Sequence, residues 1–319
     1  MGFENFWGFA AKHPDHLAIV DADESKTTEA DLLDAVNQLS HGLQALGLTR
    51  GDSIAAMLPN SREAMEVWLA MQQMGVYLTP LNFHLVGPEI AYILQDCEAK
   101  VFVVHERFAD VARLAIQETG FPGSRVYAVG DVEGFGSYAA LKAGQPTTLP
   151  AERSVGSVMN YTSGTTGRPK GVRRPLPTTP LKETDLGTAL RGYNVTPEEQ
   201  GNVHLLACPW YHTAPMVLAS PALHWGHTMI IMDRFQPERA LELARESAGS
   251  RDVRIAGGAD VIQQYLSLGV VDELEIALAP VLFGGGRRLF ENLRDPGTRF
   301  RIDRVLDGPA ATHLRYVRQ

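Results

Sequence analysis

Between Thr28 and Val104 the apolar residues switch repeatedly between a helical spacing and short unbroken runs, and few folds accept that alternation. Leu32, Val36, Leu39, Leu43 and Leu46 recur at spacings of four and three, which makes one apolar stripe along a helix. Thr28 with Asp31 forms a capping pair before it, and Gly47 stands where the helix should stop. Ser53 to Leu58 reads as a buried strand. Ser61 caps a helix carrying Val67, Trp68, Met71 and Met74, and Gly75 ends it. Pro88 suits the first turn of the next helix, and Val101 to Val104 is a β-branched and aromatic strand. Helix and strand in alternation predict an α/β fold with a mostly parallel sheet flanked by helices.

Further along, Val155 to Tyr161 is a strand candidate that runs directly into a Gly/Thr loop. Residues 173–185, rich in Pro and Thr, read as loop, and Pro237 to Ala248 as helix. Val253 to Ala256 reads as a strand ending in Gly257 and Gly258, followed by a helix from Asp260 to Leu268 that Gly269 stops. Strands are expected near 274–282, where Leu274, Ile276 and Leu278 alternate, and near 312–317.

The formal charge of −8 argues against a general nucleic-acid binder, which needs a basic face. Cys97 and Cys208 are far apart and in no metal-ligand spacing, so neither a disulfide framework nor a zinc site is expected, and a cytoplasmic location is the default. No stretch approaches the apolar length that spans a bilayer, and the N-terminus lacks the basic and apolar regions of a signal peptide.

The sharpest chemistry lies in Tyr161-Thr-Ser-Gly-Thr-Thr-Gly-Arg-Pro-Lys-Gly171. Glycines and small hydroxyl residues let backbone N–H groups close around phosphate oxygens. Thr162, Ser163, Thr165 and Thr166 add hydroxyl donors, Gly164 and Gly167 add backbone freedom, and Lys170 adds a positive charge. No Gly-Lys-Ser/Thr follows, so it is not a Walker A loop. The bland alternative is a polar surface turn.

This loop resembles the phosphate-binding signature of the adenylate-forming superfamily, which includes acyl-CoA synthetases and luciferases. Gly51-Asp-Ser-Ile-Ala-Ala-Met-Leu-Pro-Asn-Ser61, Met74-Gly-Val-Tyr-Leu-Thr-Pro-Leu-Asn82 and Pro209-Trp-Tyr-His-Thr-Ala-Pro215 look like other segments of acyl-CoA synthetases. The resemblance runs from residue 1 to about residue 240. It implies that Thr162, Ser163, Gly164, Thr165, Thr166, Gly167 and Lys170 hold ATP phosphates with Mg2+. It further implies that His212 lines an acyl and adenylate pocket, the alternative being a packed histidine with one satisfied nitrogen. The implied reaction joins a carboxylic acid to ATP as an acyl-adenylate, which coenzyme A then resolves.

Beyond residue 240 this likeness stops. The Tyr-Gly-x-Thr-Glu and Thr-Gly-Asp segments of relatives, and their lid with its lysine, have no match in this sequence. The resemblance therefore implies a catalytically incomplete ligase-like protein, with catalytic residues unassigned. Val253-Arg-Ile-Ala-Gly-Gly-Ala259, Val271-Asp-Glu-Leu-Glu-Ile276 and Pro280-Val-Leu-Phe-Gly-Gly-Gly-Arg-Arg-Leu-Phe290 instead resemble the back half of dihydrofolate-reductase-like and riboflavin-biosynthesis reductase domains, a small α/β segment. That resemblance implies NADPH phosphates at Gly257, Gly258 and Ala259, where exposed N–H groups and a helix start would meet an anion.

Two domains are thus expected, 1–240 and 241–319. An NADPH-dependent reductase and a non-catalytic binding protein stand as rivals to the ligase-like reading. Each half should lack some of its usual sheet neighbours, so open edges could join chains into a homo-oligomer.

Overall fold

The structure is a computed structural model. It describes residues 4–162, 169–193, 201–255, 258–282, 285–286, 288–294 and 299–319. The chain divides into two compact units, Met1–Gly249 and Ser250–Gln319.

The first unit opens with helix α1 (Asn5–Lys12) and the short antiparallel strands β1 (Leu17–Val20) and β2 (Lys26–Thr28). Then come α2 (Glu29–Ala45), β3 (Ser53–Met57), α3 (Arg62–Met74), β4 (Tyr77–Pro80), α4 (Gly87–Asp96), β5 (Ala99–His105) and α5 (Ala109–Thr119). Strands β6 (Val126–Val129) and β7 (Gly136–Ser137), helix α6 (Tyr138–Lys142) and strand β8 (Ser157–Val158) complete a six-stranded sheet of order β7-β6-β5-β3-β4-β8. All its pairings are parallel, as the alternation predicts.

The helix boundaries follow local chemistry. The Thr28 hydroxyl accepts from the Asp31 N–H at 3.2 Å and starts α2. Ser61 accepts from Ala64 N–H at 3.4 Å and starts α3. Gly75, at φ +67°, ends α3 in the left-handed conformation that side chains resist. Pro88 sits in the first turn of α4.

The period of two along the central strands sorts the core into two layers. Ile54, Ala56, Val101 and Val103 pack with α2 and α3, against Leu32, Leu39, Met65 and Leu69. Ala55, Met57, Phe102 and Val104 face the opposite way, against Ile90, Ile93, Leu94, Ala112 and Ala115 of α4 and α5. Each fully buried Val, Leu, Ile, Phe or Met side chain among them contributes about 1.5–3 kcal/mol. Glu66 is buried with them: its carboxylate accepts from the Tyr138 hydroxyl at 2.8 Å and from Lys142 Nζ at 2.6 Å, which fastens α6 to α3.

A second sheet is not apparent in the sequence pattern. Strands β11 (Val203–Leu206) and β12 (Thr228–Ile231) flank helix α7 (Thr213–His224), and the sheet order is β11-β12-β1-β2. Here β1 pairs in parallel with β12, Ile19 opposite Met229. Between β8 and β11 lies a separate antiparallel pair, β9 (Asn160–Thr162) with β10 (Lys170–Val172). The expected single strand from Val155 to Tyr161 is therefore two pieces, because the chain leaves the large sheet after Val158. The 173–185 segment is loop as expected, apart from one 3-10 turn at Leu181–Glu183 that buries Leu181. Helix α8 (Pro237–Ala248) closes the unit. No helix among the described residues is long and apolar enough to cross a membrane.

The second unit holds helix α9 (Ala259–Ser267) and strands β13 (Glu273–Leu278), β14 (Phe300–Asp307) and β15 (Thr312–Arg318), in an antiparallel sheet of order β13-β15-β14. Gly269, at φ +67°, follows α9 as expected. Three expectations need correction. Residues 253–255 of the proposed Val253–Ala256 strand form no ladder, and Val253 and Ile255 are exposed; Ala256 lies outside the described residues. Strand β13 ends at Leu278 rather than 282, because Pro280 lacks the N–H a ladder needs. Strand β14 has no counterpart among the expected elements, because a register shift between Ile302 and Arg304 breaks its alternation. Among the described residues of this unit only Gln263 and Leu266 are buried.

Candidate functional site

The phosphate-loop candidate is the connection of the β9–β10 hairpin. Thr162 stands opposite Lys170, Tyr161 opposite Gly171 and Asn160 opposite Val172. Ser163, Gly164, Thr165, Thr166 and Gly167 lie outside the described residues. The structure thus places the two ends of the expected loop side by side, and Lys170 is exposed.

Both ends of the hairpin are fixed. On the entry side, Ser157 and Met159 donate backbone N–H groups to Val76 O and Leu78 O at 3.1 and 2.9 Å, as β8 joins the large sheet. The Tyr161 hydroxyl then donates to Asp96 Oδ2 at 2.5 Å, and burial together with this bond raises the phenol's pKa. Opposite Tyr161, a Cβ at Gly171 would stand 2.4 Å from Met159 Cε and 2.8 Å from the Tyr161 ring, so any larger residue needs these side chains to shift. On the exit side, Arg173 Nη1 meets Glu98 Oε2 at 3.0 Å, Nη2 donates to Gly51 O at 3.0 Å, and the guanidinium lies over the Tyr77 ring at 4.5 Å.

The hairpin also meets the segment that carries His212. Asn160 Nδ2 donates to Thr213 Oγ1 at 2.8 Å, which sets β9 beside the first turn of α7. His212 is the residue preceding that helix. It is exposed rather than packed in the core, and its backbone N–H donates to Pro209 O at 3.2 Å. Partial desolvation lowers its pKa. Its ring lies 4.4 Å from Tyr211, which meets Phe83 edge-on at 5.0 Å; Phe83 in turn stacks on Phe108 at 5.3 Å.

What positions this segment is a residue that sequence reasoning passes over. Asn60, just beyond the carboxyl end of β3, is 4% exposed. Its amide donates to Cys208 O and Met232 O at 3.0 Å each, and its carbonyl accepts the Trp210 N–H at 2.8 Å. The Trp210 indole, fully buried, donates to Leu58 O at 2.8 Å. One side chain therefore joins β3 of the large sheet to the ends of β11 and β12 of the smaller one. Alongside it, Arg107 and Asp233 pair through two bonds of 2.6 and 2.8 Å, again between residues following β5 and β12. This pairing holds the Asp233 pKa below its ordinary value. The carboxyl ends of parallel strands from both sheets are thus bound to one another, the place where open α/β sheets usually receive ligands.

The NADPH-site candidates belong to the second unit. Gly258 precedes α9 and Ala259 opens it; Gly257 lies outside the described residues. A Cβ at Gly258 would meet nothing within 4 Å, so space remains there. Asp260 occupies the first turn, where its charge opposes an incoming phosphate.

Comparison with known proteins bears on both units. A family model for AMP-binding enzymes matches residues 6–248, and one for the RibD C-terminal domain matches residues 210–314. A fatty acid–[acyl-carrier-protein] ligase of Streptomyces coeruleorubidus is 28% identical over 242 residues, 75% of this chain and 45% of that protein. A feruloyl-CoA synthase of an Amycolatopsis species is 29% identical over 245 residues, 74% of this chain and 45% of that protein. The chain therefore spans less than half the length of these curated relatives. Among solved structures, ATP-bound MatB from Rhodopseudomonas palustris superposes at a TM-score of 0.58 with 29% identity, covering 76% of this chain and 48% of that one. The luciferase-like enzyme of the mealworm Zophobas morio shares the fold at a TM-score of 0.61 and 17% identity, over 77% of this chain and 57% of that one.

Proposed function

This chain belongs to the AMP-binding enzyme family, and from that premise we propose that its first unit binds ATP through the segment Thr162–Lys170. The observation that carries this reading is the β9–β10 hairpin, which brings Thr162 and Lys170 together beside the start of α7. In this reading Lys170 lends charge to the β- and γ-phosphates, while Ser163, Gly164, Thr165, Thr166 and Gly167 supply hydroxyl and N–H donors. Mg2+ would arrive on the nucleotide's own phosphates, its common mode. His212 and the Phe83–Tyr211 pair would border the acid, and coenzyme A would be the acceptor of a complete enzyme.

Lys170→Ala should weaken ATP·Mg2+ binding by about 1–3 kcal/mol, the worth of one charge-assisted contact. Isothermal titration of both proteins measures this, and coincident isotherms would remove the loop as the site.

The same reading holds that this chain alone does not complete adenylation. Phosphate grip without the downstream segments leaves ribose and carboxylate unaligned, and alignment supplies much of such a rate enhancement. Pyrophosphate–ATP exchange with fatty and aromatic acids should stay at background. Acid-dependent exchange that Lys170→Ala abolishes would show the chain to be a working ligase.

A second reading is favoured by the RibD C-terminal domain match over residues 210–314 and by the open space at Gly258. In it the second unit binds NADPH phosphates at Gly257, Gly258 and Ala259. Titration with NADPH at the same salt separates the two readings.

A further inference from the structure

Among the described residues the sheet of the second unit is bounded by β13 and β14, and the two boundaries differ in charge. The register across the sheet runs Glu273–Val317–Arg301 in one row and Glu275–Arg315–Arg304 in the next, all on one face. The opposite face reads Leu274–Tyr316–Ile302 and then Ile276–Leu314–Val305. The β13 edge is thus acidic on one face and aliphatic on the other, and the β14 edge carries Arg301 and Arg304, with Asp303 between them, on one face and is aliphatic on the other. Glu273 is already engaged by Arg315 at 2.7 Å, and Arg301 lies 3.7 Å from Asp303. Glu273, Glu275, Arg301 and Arg304 are all exposed. Ile302 and Val305 are 59% and 53% exposed, far above what a strand with a filled apolar face shows.

From this pattern we propose that the second unit is an assembly surface whose occupant is a second copy of this chain, β13 of one copy pairing with β14 of the next. Such pairing places Leu274 and Ile276 beside Ile302 and Val305. On the other face it places Glu273 and Glu275 beside Arg301 and Arg304. Pairing of like edges is opposed: β13 with β13 sets glutamates against glutamates, and β14 with β14 sets arginines against arginines. The contact is therefore heterologous, and unless its rotation closes a ring it continues past the dimer. The proposal is independent of the ATP reading, because it uses no residue of the first unit.

The test uses the full chain in sedimentation velocity across a concentration series at low and high salt. Wild type should form species larger than dimers, and salt should weaken them. Glu275→Arg and Arg304→Glu, each alone, should shift association to about tenfold higher concentration, since each sets like charges across the seam. An equimolar mixture of the two variants should associate as wild type does, because the arginine introduced in one variant then meets the glutamate introduced in the other. Matching thermal melts confirm that both variants fold. If one does not, the other is assayed against wild type in the same series. A monomer at every concentration, association that ignores both substitutions, or single variants that fail to complement each other would overturn the proposal.

Discussion

Replacing Asn60 with leucine should destabilise the first unit by on the order of 3–5 kcal/mol, because two carbonyls and one N–H lose their buried partner at once. A fall in the urea midpoint at unchanged slope would report the loss as one of stability rather than of compactness. Trp210 should loosen with it, and its fluorescence should change before global unfolding. Since the same side chain holds the segment leading to His212 and Thr213, ATP affinity should fall in the variant even where it remains folded. A stability loss under about 1 kcal/mol would mean that the ends of β3, β11 and β12 hold together by their own ladders, and that Asn60 is incidental.

Glu29→Gln should have a comparable effect of the opposite sign, and only over part of the pH range. Glu29 is 1% exposed in the first turn of α2, and its Oε2 has no hydrogen-bond partner among the described residues. Burial raises its pKa from 4.5 to about 8. A carboxyl group whose folded pKa is raised gives its full stability below the unfolded value. That stability is lost as pH rises towards the folded value. The wild-type chain should therefore lose stability between about pH 4.5 and pH 8 on account of this group. Glutamine cannot ionise, so the variant should match wild type near the acid end of this window. At pH 8 and above it should exceed wild type by on the order of 5 kcal/mol, about 1.4 kcal/mol for each pH unit between 4.5 and 8. Denaturant curves at the two ends of the window measure the difference. Equal gains at both ends would show that the substitution improves packing and that Glu29 does not titrate there.

What was legible in the sequence is the chemistry that acts over one helical turn. The caps at Thr28 and Ser61, the left-handed Gly75 and the Pro88 start each depend on neighbours within a few residues, so their meaning is written beside them. The short apolar runs of β3 and β5 are legible for the same reason. By contrast, β1 and β2 are four and three residues long, and the parallel partner of Ile19 is Met229, far along the chain, so no local pattern marks that sheet. In the second unit Phe300-Arg-Ile-Asp-Arg-Val-Leu-Asp307 carries strand residues, but its irregularity after Ile302 moves Val305 out of step. Val253 and Ile255 show the reverse error: β-branched residues invite a strand, yet a ladder also needs a partner. At the candidate site, the loop stands out as a candidate because its glycines, hydroxyl residues and lysine are consecutive. Asn60 does not, because a buried amide is explained only by the three distant groups it satisfies.

The smaller sheet of the first unit also sets a schedule for synthesis. Strand β1 leaves the ribosome early, but β12, against which it lies in parallel, is made about 210 residues later. At common elongation rates that is roughly 10–40 s, during which Ala18 and Ile19, fully buried in the finished fold, have no sheet to enter. The six-stranded sheet can close much sooner, since β3 to β8 are contiguous in the chain. A nascent chain released before residue 228 should thus carry a formed large sheet and an N-terminal segment open to protease and to chaperones that capture apolar strands.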